Sequence, residues 1–428
     1  MPSADGLGMM PGGGGESVNE VASMARAGMG SQVVRLRRRR YFLLRIGDET
    51  TLDIARFLSG DIRTRRNARC WLLCPITGRE LPVTAEDLQL VMTLPAETWL
   101  ECKASVGLVD LASRGILLAD PPADGWEQLA SGEQTLEQAH WLDVAAVYHA
   151  HSSWQSVEGG DVLPIADAET QRENLESWRR VQGDPPPHFV ERTDAHSRIA
   201  LRVPVLSGAF FDTLMARRTT RAFRTDESLP RLALERILYA VFGTHGIKHF
   251  APGVAAIKRT SPSGGALHPI EAYVLAIHVD GVPSGLYHYE TASHALAELE
   301  RMEIGSARNL ACTFMAGQTY FAASHALVIH VARFDRNFWK YAQHRKAYRA
   351  VLMDSGHLSQ TFYLTATHLG LGAFYTAAIN DADISERLRL PPGREAAIGI
   401  NGVGLPLHGR DELHFVPDPY EHNRKESR

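Results

Sequence analysis

Lys340 and Tyr341 stand side by side in the run Trp339-Lys-Tyr-Ala-Gln-His-Arg-Lys-Ala-Tyr-Arg-Ala-Val-Leu-Met-Asp-Ser-Gly-His357. An amine and a phenol can each take or deliver a proton once burial or neighbouring charge brings the pKa into range. Taken alone, the pair equally describes a lysine and a tyrosine facing solvent at a helix start. His344 and His357 read as packing or hydrogen-bonded helix residues. Far upstream lies Pro262-Ser-Gly-Gly-Ala-Leu-His268. Paired glycines let a backbone approach a flat ligand closely, and Ser263 and His268 add polar contacts. The segment is neither a P-loop nor G-x-G-x-x-G, and a plain tight turn before a strand is the alternative. Arg217-Arg-Thr-Thr-Arg221 offers forked, charge-assisted donors suited to a phosphate or an anionic ring. By itself it also fits a solvated loop. No Ser-His-Asp arrangement and no H-E-x-x-H zinc motif is present.

The elements around these residues follow from periodicity. A helix near 208–217 ends at the arginines, and a second covers Leu232 to Val241. Strands are predicted at 270–279 and 285–290, a helix at 308–315 and a strand at 326–332. One long helix over 338–369 carries apolar or small residues at 351, 355, 358, 362, 365 and 369, a single buried stripe. It places Lys340 and Tyr341 at its head. Gly370-Leu-Gly372 ends it. A strand at 373–379, a short helix at 384–390 and a strand at 396–402 complete the region. Helices and strands mix without βαβ repetition, so the expected class is α+β.

The first part of the chain reads differently. Residues 32–46 alternate like one strand, with Arg37 to Arg40 forming a solvated face. A nucleic-acid patch is the rival reading, but no aromatic-rich basic surface follows. Cys70 and Cys74 are spaced C-x3-C without a second pair, short of the ligands zinc needs. They read as buried cysteines before a Pro-x-x-Gly turn. Thr84-Ala-Glu-Asp87 resembles a capping box. A second helix over 104–114, stopped by Gly115, leads to a strand at 116–120. This order suggests a small winged-helix-like unit, able to hold DNA, an extended peptide or no ligand. Pro121-Pro122 and the acidic stretch beyond mark a connection, followed by a helix at 139–152. Residues 157–190 are polar and Pro-rich, which sets a domain boundary.

Bulk properties narrow the classes. A net charge of −4 over 428 residues offers no global attraction to nucleic acid or a membrane surface. Four cysteines are too few for a disulfide framework, so a reducing cytoplasm is expected. No apolar run reaches the roughly 18–20 residues that cross a bilayer, and no signal peptide is evident. Residues 1–30 are rich in Gly, Met and Ser and read as disordered. Met29 is an alternative start.

The ordered motifs Arg-Arg-Thr-Thr-Arg-Ala-Phe, Pro-Ser-Gly-Gly-Ala-Leu-His-Pro-Ile-Glu, Gly285-Leu-Tyr-His-Tyr-Glu, Lys-Tyr…Tyr-Arg…Asp-Ser-Gly-His and Leu369-Gly-Leu-Gly resemble the SagB-type dehydrogenases. These are enzymes of the nitroreductase fold that mature ribosomally made peptides. The likeness covers about 200–410 and implies an FMN domain at 200–428. Ahead of it stand a disordered segment at 1–30, a winged-helix-like and possible peptide-binding domain at 31–156, and a linker at 157–199. The implied fold is a central mixed sheet flanked by helices. The implied FMN contacts are Arg217, Arg218, Thr219 and Arg221, then Pro262, Ser263, Gly265, Leu267 and His268, then Gly370 and Gly372, with a phosphate-contacting basic residue at Arg410. Thr219 stands where relatives carry Ser. The resemblance makes Lys340 and Tyr341 the catalytic pair of an azoline oxidase. It implies a homodimer, a precursor peptide, and a partner such as a cyclodehydratase. Two rivals stay open: an NAD(P)H-dependent reductase of dehydroamino acids or nitro compounds, and a flavin-free scaffold that binds a peptide through residues 30–120.

Overall fold

The computed structural model describes residues 33–52, 64–158, 168–187, 189 and 192–407. Residues 1–30, Met29 and Arg410 lie outside them. The chain divides into two compact units, Met1–Ser152 and Ser153–Arg428.

The first unit holds two three-stranded antiparallel sheets. One orders β5 (Leu100–Lys103), β1 (Val33–Arg38) and β6 (Leu117–Asp120); the other β2 (Leu43–Leu52), β3 (Thr64–Leu73) and β4 (Glu80–Val83). Helix α1 (Ala85–Met92) starts on the expected capping box: Thr84 Oγ1 accepts the Asp87 N–H at 3.1 Å and Asp87 accepts the Thr84 N–H at 2.9 Å. Helix α2 (Val106–Ser113) starts at Ser105, and Gly115 leaves it with φ 69°. Leu36, Leu72, Val91, Leu111 and Ile116 join sheets and helices in one core.

The single strand expected over 32–46 is in fact two, β1 and β2, in different sheets. The cause lies in the arginines, whose expected solvated face is corrected. Arg39 is buried, donating to the Gly115 carbonyl at 3.1 Å and to the Cys74 sulfur. Glu133, also buried, accepts Arg37 Nη1 at 3.0 Å and the Arg40 N–H at 3.0 Å. Glu133 belongs to α3 (Gln128–Gln138), a helix within the stretch read as a connection. Helix α4 (Asp143–Ser152) begins later than expected because Ala139 and Trp141 are buried in the turn before it. Cys74 is buried and Cys70 half-buried; among the described residues no His/Cys/Asp/Glu group could hold a metal.

In the second unit, residues 154–157 hydrogen-bond to α11 (Asp381–Arg387) and its preceding residue: the Trp154 N–H to Asp381 at 3.2 Å, the Val157 N–H to Asn380 at 2.9 Å. The stretch read as a linker carries α5 (Ala168–Gln182). Helices α6 (Ala209–Ala216) and α7 (Arg231–Phe242) follow. A hairpin of β7 (Gly246–Ala251) and β8 (Val254–Lys258) comes next, unexpected because its strands are mostly exposed and lack alternation.

The centre is a six-stranded sheet, β11 (Ala295–Arg301), β10 (Gly285–Glu290), β9 (Ile270–Ala276), β12 (Ala326–Arg333), β14 (Glu395–Gly404) and β13 (Gly372–Thr376). A mixed sheet was expected; every pairing in it is antiparallel. β12 is buried over nearly its whole length, as a strand covered on both faces must be. Leu327, Ile329 and Val331 join Ala307, Ala311 and Phe314 of α8 (Ile304–Phe314) in the main core. His330, one pleat out of phase, faces the other layer and hydrogen-bonds Ser355 at 2.8 Å.

The expected long helix is broken. Helix α9 (Phe334–Lys340) ends at Tyr341, and α10 (Ala347–His368) starts six residues later. No Gly or Pro lies between them. The buried Asn337 amide donates to the Ala347 carbonyl at 3.1 Å, and Gln343 takes a left-handed φ of 51°. Lys340 and Tyr341 therefore sit at the tail of a short helix, not at the head of a long one.

Candidate functional site

The turn Ser263–His268 contains three residues in the left-handed region: Gly265 at φ 65°, Ala266 at 57° and His268 at 46°. For Gly265 this is free; for the other two it costs about 1–2 kcal/mol each and must be held by surrounding bonds. Asp354 of α10, 5% exposed, supplies them: it accepts Ser263 Oγ–H at 2.5 Å and the Gly264 N–H at 3.1 Å. Ser263 Oγ in turn accepts the His268 N–H at 2.9 Å. Burial pushes the Asp354 carboxyl above its ordinary value, against the Ser263 and Gly264 bonds and the nearby His357.

The broken helix delivers Lys340 and Tyr341 to this turn. Lys340 Nζ donates to the Gly265 carbonyl at 3.4 Å. A Cβ on Gly265 would overlap the Tyr341 hydroxyl and come within 2.9 Å of Lys340 Nζ. A side chain there would displace both side-chain ends, and the left-handed φ of 65° adds a preference for glycine. Leu267 is buried, and its carbonyl accepts Arg336 Nε at 2.5 Å. Burial first, and Arg259 second, hold His268 down to about 4, so it is neutral at pH 7. Pro262 is exposed ahead of the turn. A cavity of about 280 Å³ is lined by Trp339, Arg336, Leu267 and Val254 among others; Lys340 and Tyr341 do not line it.

The arginine segment forms a second group. Arg217 leaves α6 and lies over the Tyr363 ring at 5.4 Å; Thr219 Oγ1 meets the Tyr363 hydroxyl at 3.1 Å. The Thr220 N–H donates to Ala373 of β13 at 2.8 Å. A Cβ on Gly372 would lie 2.6 Å from Thr220 Cγ2, so Gly372 admits this segment. Gly370 has φ 71° at the end of α10. Arg217, Arg218 and Arg221 form no ion pair among the described residues. Arg221 Nε and Thr220 Oγ1 are buried with no hydrogen-bond partner.

The structure thus joins Lys340, Tyr341, Ser263, Gly265 and His268 in one cluster, and Arg217, Thr219 and Gly372 in another. Helix α10 touches both, through Asp354 and Tyr363. Neither of these two was singled out from sequence. Asp354 lay in the quoted Asp-Ser-Gly-His run without a role, because its partner is distant in the chain.

Unpaired guanidiniums, a glycine cradle and an amine–phenol pair, mounted on an antiparallel sheet between helices, are consistent with the oxidoreductase class. Residues 214–405 match the nitroreductase family, and the chain belongs to it. It is 32% identical over 179 residues to the nitroreductase MJ1384 of Methanocaldococcus jannaschii, covering 83% of that protein and 42% of this chain. Trifolitoxin-processing protein TfxB of Rhizobium leguminosarum is 29% identical over 37% of this chain and 43% of its own length. Microcin B17-processing protein McbC of Escherichia coli is 26% identical over 40% of this chain and 60% of its own. The match thus spans less than two thirds of each peptide-processing relative.

Proposed function

We propose that this chain is an FMN-dependent dehydrogenase of the SagB type, which oxidises azolines to azoles in a ribosomally made peptide. One observation carries the reading: the side-chain ends of Lys340 and Tyr341 converge on Gly265, the glycine of the turn with a left-handed φ. The family likenesses to TfxB and McbC point to a peptide as substrate.

The residues suit FMN. Arg217, Arg218, Thr219 and Arg221 offer a cationic cluster with no carboxylate paired to it among the described residues, including a buried Arg221 Nε without a partner among them, and would hold the phosphate. Pro262, Ser263, Gly265, Leu267 and His268 would line the ring, with Arg410 a further phosphate contact. Gly372 would act indirectly, by admitting Thr220, and Gly370 by turning the chain out of α10. When bound, FMN would supply the acceptor for the hydride that leaves the ring carbon next to Cα, with molecular oxygen as the terminal oxidant. Lys340 takes the Cα proton, and Tyr341 orients the amine. The gain of aromaticity drives the loss of both hydrogens. The precursor peptide is one partner, a cyclodehydratase another, and a second copy of the chain a third. Among the described residues no helix is long and apolar enough to cross a membrane.

The likeness to MJ1384 favours a second reading, an NAD(P)H-dependent reductase of dehydroamino acids or nitro compounds on the same site. The test is the absorption spectrum and released chromophore of the purified protein, followed by turnover of Lys340→Ala. We expect bound FMN in both proteins and azole formation by the wild type only, with a loss of at least about 100-fold on removal of the base. Bleaching by NAD(P)H with no azoline oxidation would move the assignment to the reductase. A protein that cannot be reconstituted with FMN would move it to a flavin-free peptide-binding subunit.

A further inference from the structure

Asp354 is a buried carboxylate with no lysine or arginine ion pair among the described residues. Its oxygens are spent on two donors of one turn, Ser263 Oγ–H and the Gly264 N–H. Through Ser263 Oγ it also reaches the His268 N–H, closing the far limb of the same turn. A side chain kept out of water normally finds a countercharge or a role worth its desolvation. The turn it clamps is the strained one, with Ala266 and His268 left-handed beside Gly265. The Gly265 carbonyl is what Lys340 Nζ contacts.

We infer that Asp354 is the positioning residue of the site, holding the Ser263–His268 turn so that Gly265 can cradle the cofactor and receive Lys340. The inference deepens the FMN reading and rests on it for its functional half. The neighbouring residue strengthens the geometry. Ser355 faces inward and is tied to His330 at 2.8 Å and to Tyr375 at 3.2 Å, which fixes the rotation of α10 about its axis at this point. Asp354 is thereby aimed at the turn by the core beneath it.

The experiment has two readouts on the full chain. Amide exchange of the apoprotein is followed by mass spectrometry over 263–268, with 326–333 in the central strand as reference. FMN affinity is followed by flavin fluorescence quenching. In Asp354→Ala, exchange over 263–268 should rise about tenfold or more while the central strand keeps its protection, and the FMN Kd should rise about tenfold. Asp354→Asn keeps one acceptor oxygen and should fall between. Asp354→Ala combined with Ser263→Ala should raise exchange by less than the product of the two single effects, because the two share the Ser263–Asp354 bond. Unchanged exchange over 263–268 overturns the inference, and so does a rise spread equally over the central strand. An unchanged Kd in an FMN-binding wild type overturns it too. If the wild type takes up no FMN, the proposed function falls, while the exchange measurement still decides whether Asp354 holds the turn.

Discussion

The two units each hold an arginine cluster, and the two clusters are handled in opposite ways. In the first, Arg37 and Arg39 turn inward onto the buried Glu133, so a basic run is neutralised by the fold itself. In the second, Arg217, Arg218 and Arg221 have no carboxylate among the described residues, and Arg221 Nε is buried without a partner. A cation answered inside its own unit is scaffolding. A cation left unanswered among the described residues stays available to a ligand. From sequence the four consecutive arginines were assigned no ligand, and the structure corrects only their surroundings, from a solvated face to a partly buried ion-pair network.

Breaking the internal pair should have the largest effect. Glu133→Ala strands the buried Arg39 and the half-buried Arg37 guanidiniums and should cost about 3–5 kcal/mol, read as a lowered denaturation midpoint. A loss under about 1 kcal/mol would place Arg37 and Arg39 with the ligand-directed class instead. The second unit also buries neutral polar groups, and acid tests that half of the contrast. Burial holds His330 down to about 3, against an unfolded value near 6.5, with Asn401 a weaker opposing influence. The unfolded chain therefore binds a proton first, and stability falls as pH drops from 6.5 towards 3. Over the span from pH 6.5 to 4 the loss from His330 is at most about 3 kcal/mol, at about 1.4 per unit. His330→Asn should flatten that acid limb; an unchanged limb would assign it to other groups. The smallest effect belongs to the ligand-directed cluster. Arg221→Met should leave the apoprotein within about 1 kcal/mol of wild type yet raise the FMN Kd about 10- to 100-fold. That loss should shrink at high salt. An apoprotein destabilised as strongly as Glu133→Ala would erase the comparison.

Much of the catalytic unit was legible in the sequence because its signals are local. The strand at 285–290 was read to the residue, and the capping box of Thr84 and Asp87 formed as its spacing required. The arginine segment and the Pro-Ser-Gly-Gly turn were found because residue type and backbone freedom are properties of short windows. What escaped depends on distant partners. Arg39 was read as solvated because Glu133 comes far later in the chain, and Asp354 was passed over because its donors lie 90 and 91 residues upstream. Helices α3 and α5 hid behind polar composition. The break between α9 and α10 has no Gly or Pro to announce it; the Asn337 amide makes it, and periodicity alone runs straight through.

That break bears on how the chain tolerates change in length. In one continuous helix, adding or deleting a residue between Tyr341 and Lys346 would rotate everything beyond it by about 100°. Val351, Leu358 and Phe362 would swing out of the core. With the interval spent on a loop, such an insertion can be absorbed before α10 begins. The spacing between the amine–phenol pair and the helix that carries Asp354 and Tyr363 is therefore open to variation among descendants of this gene, while the buried stripe beneath it is not.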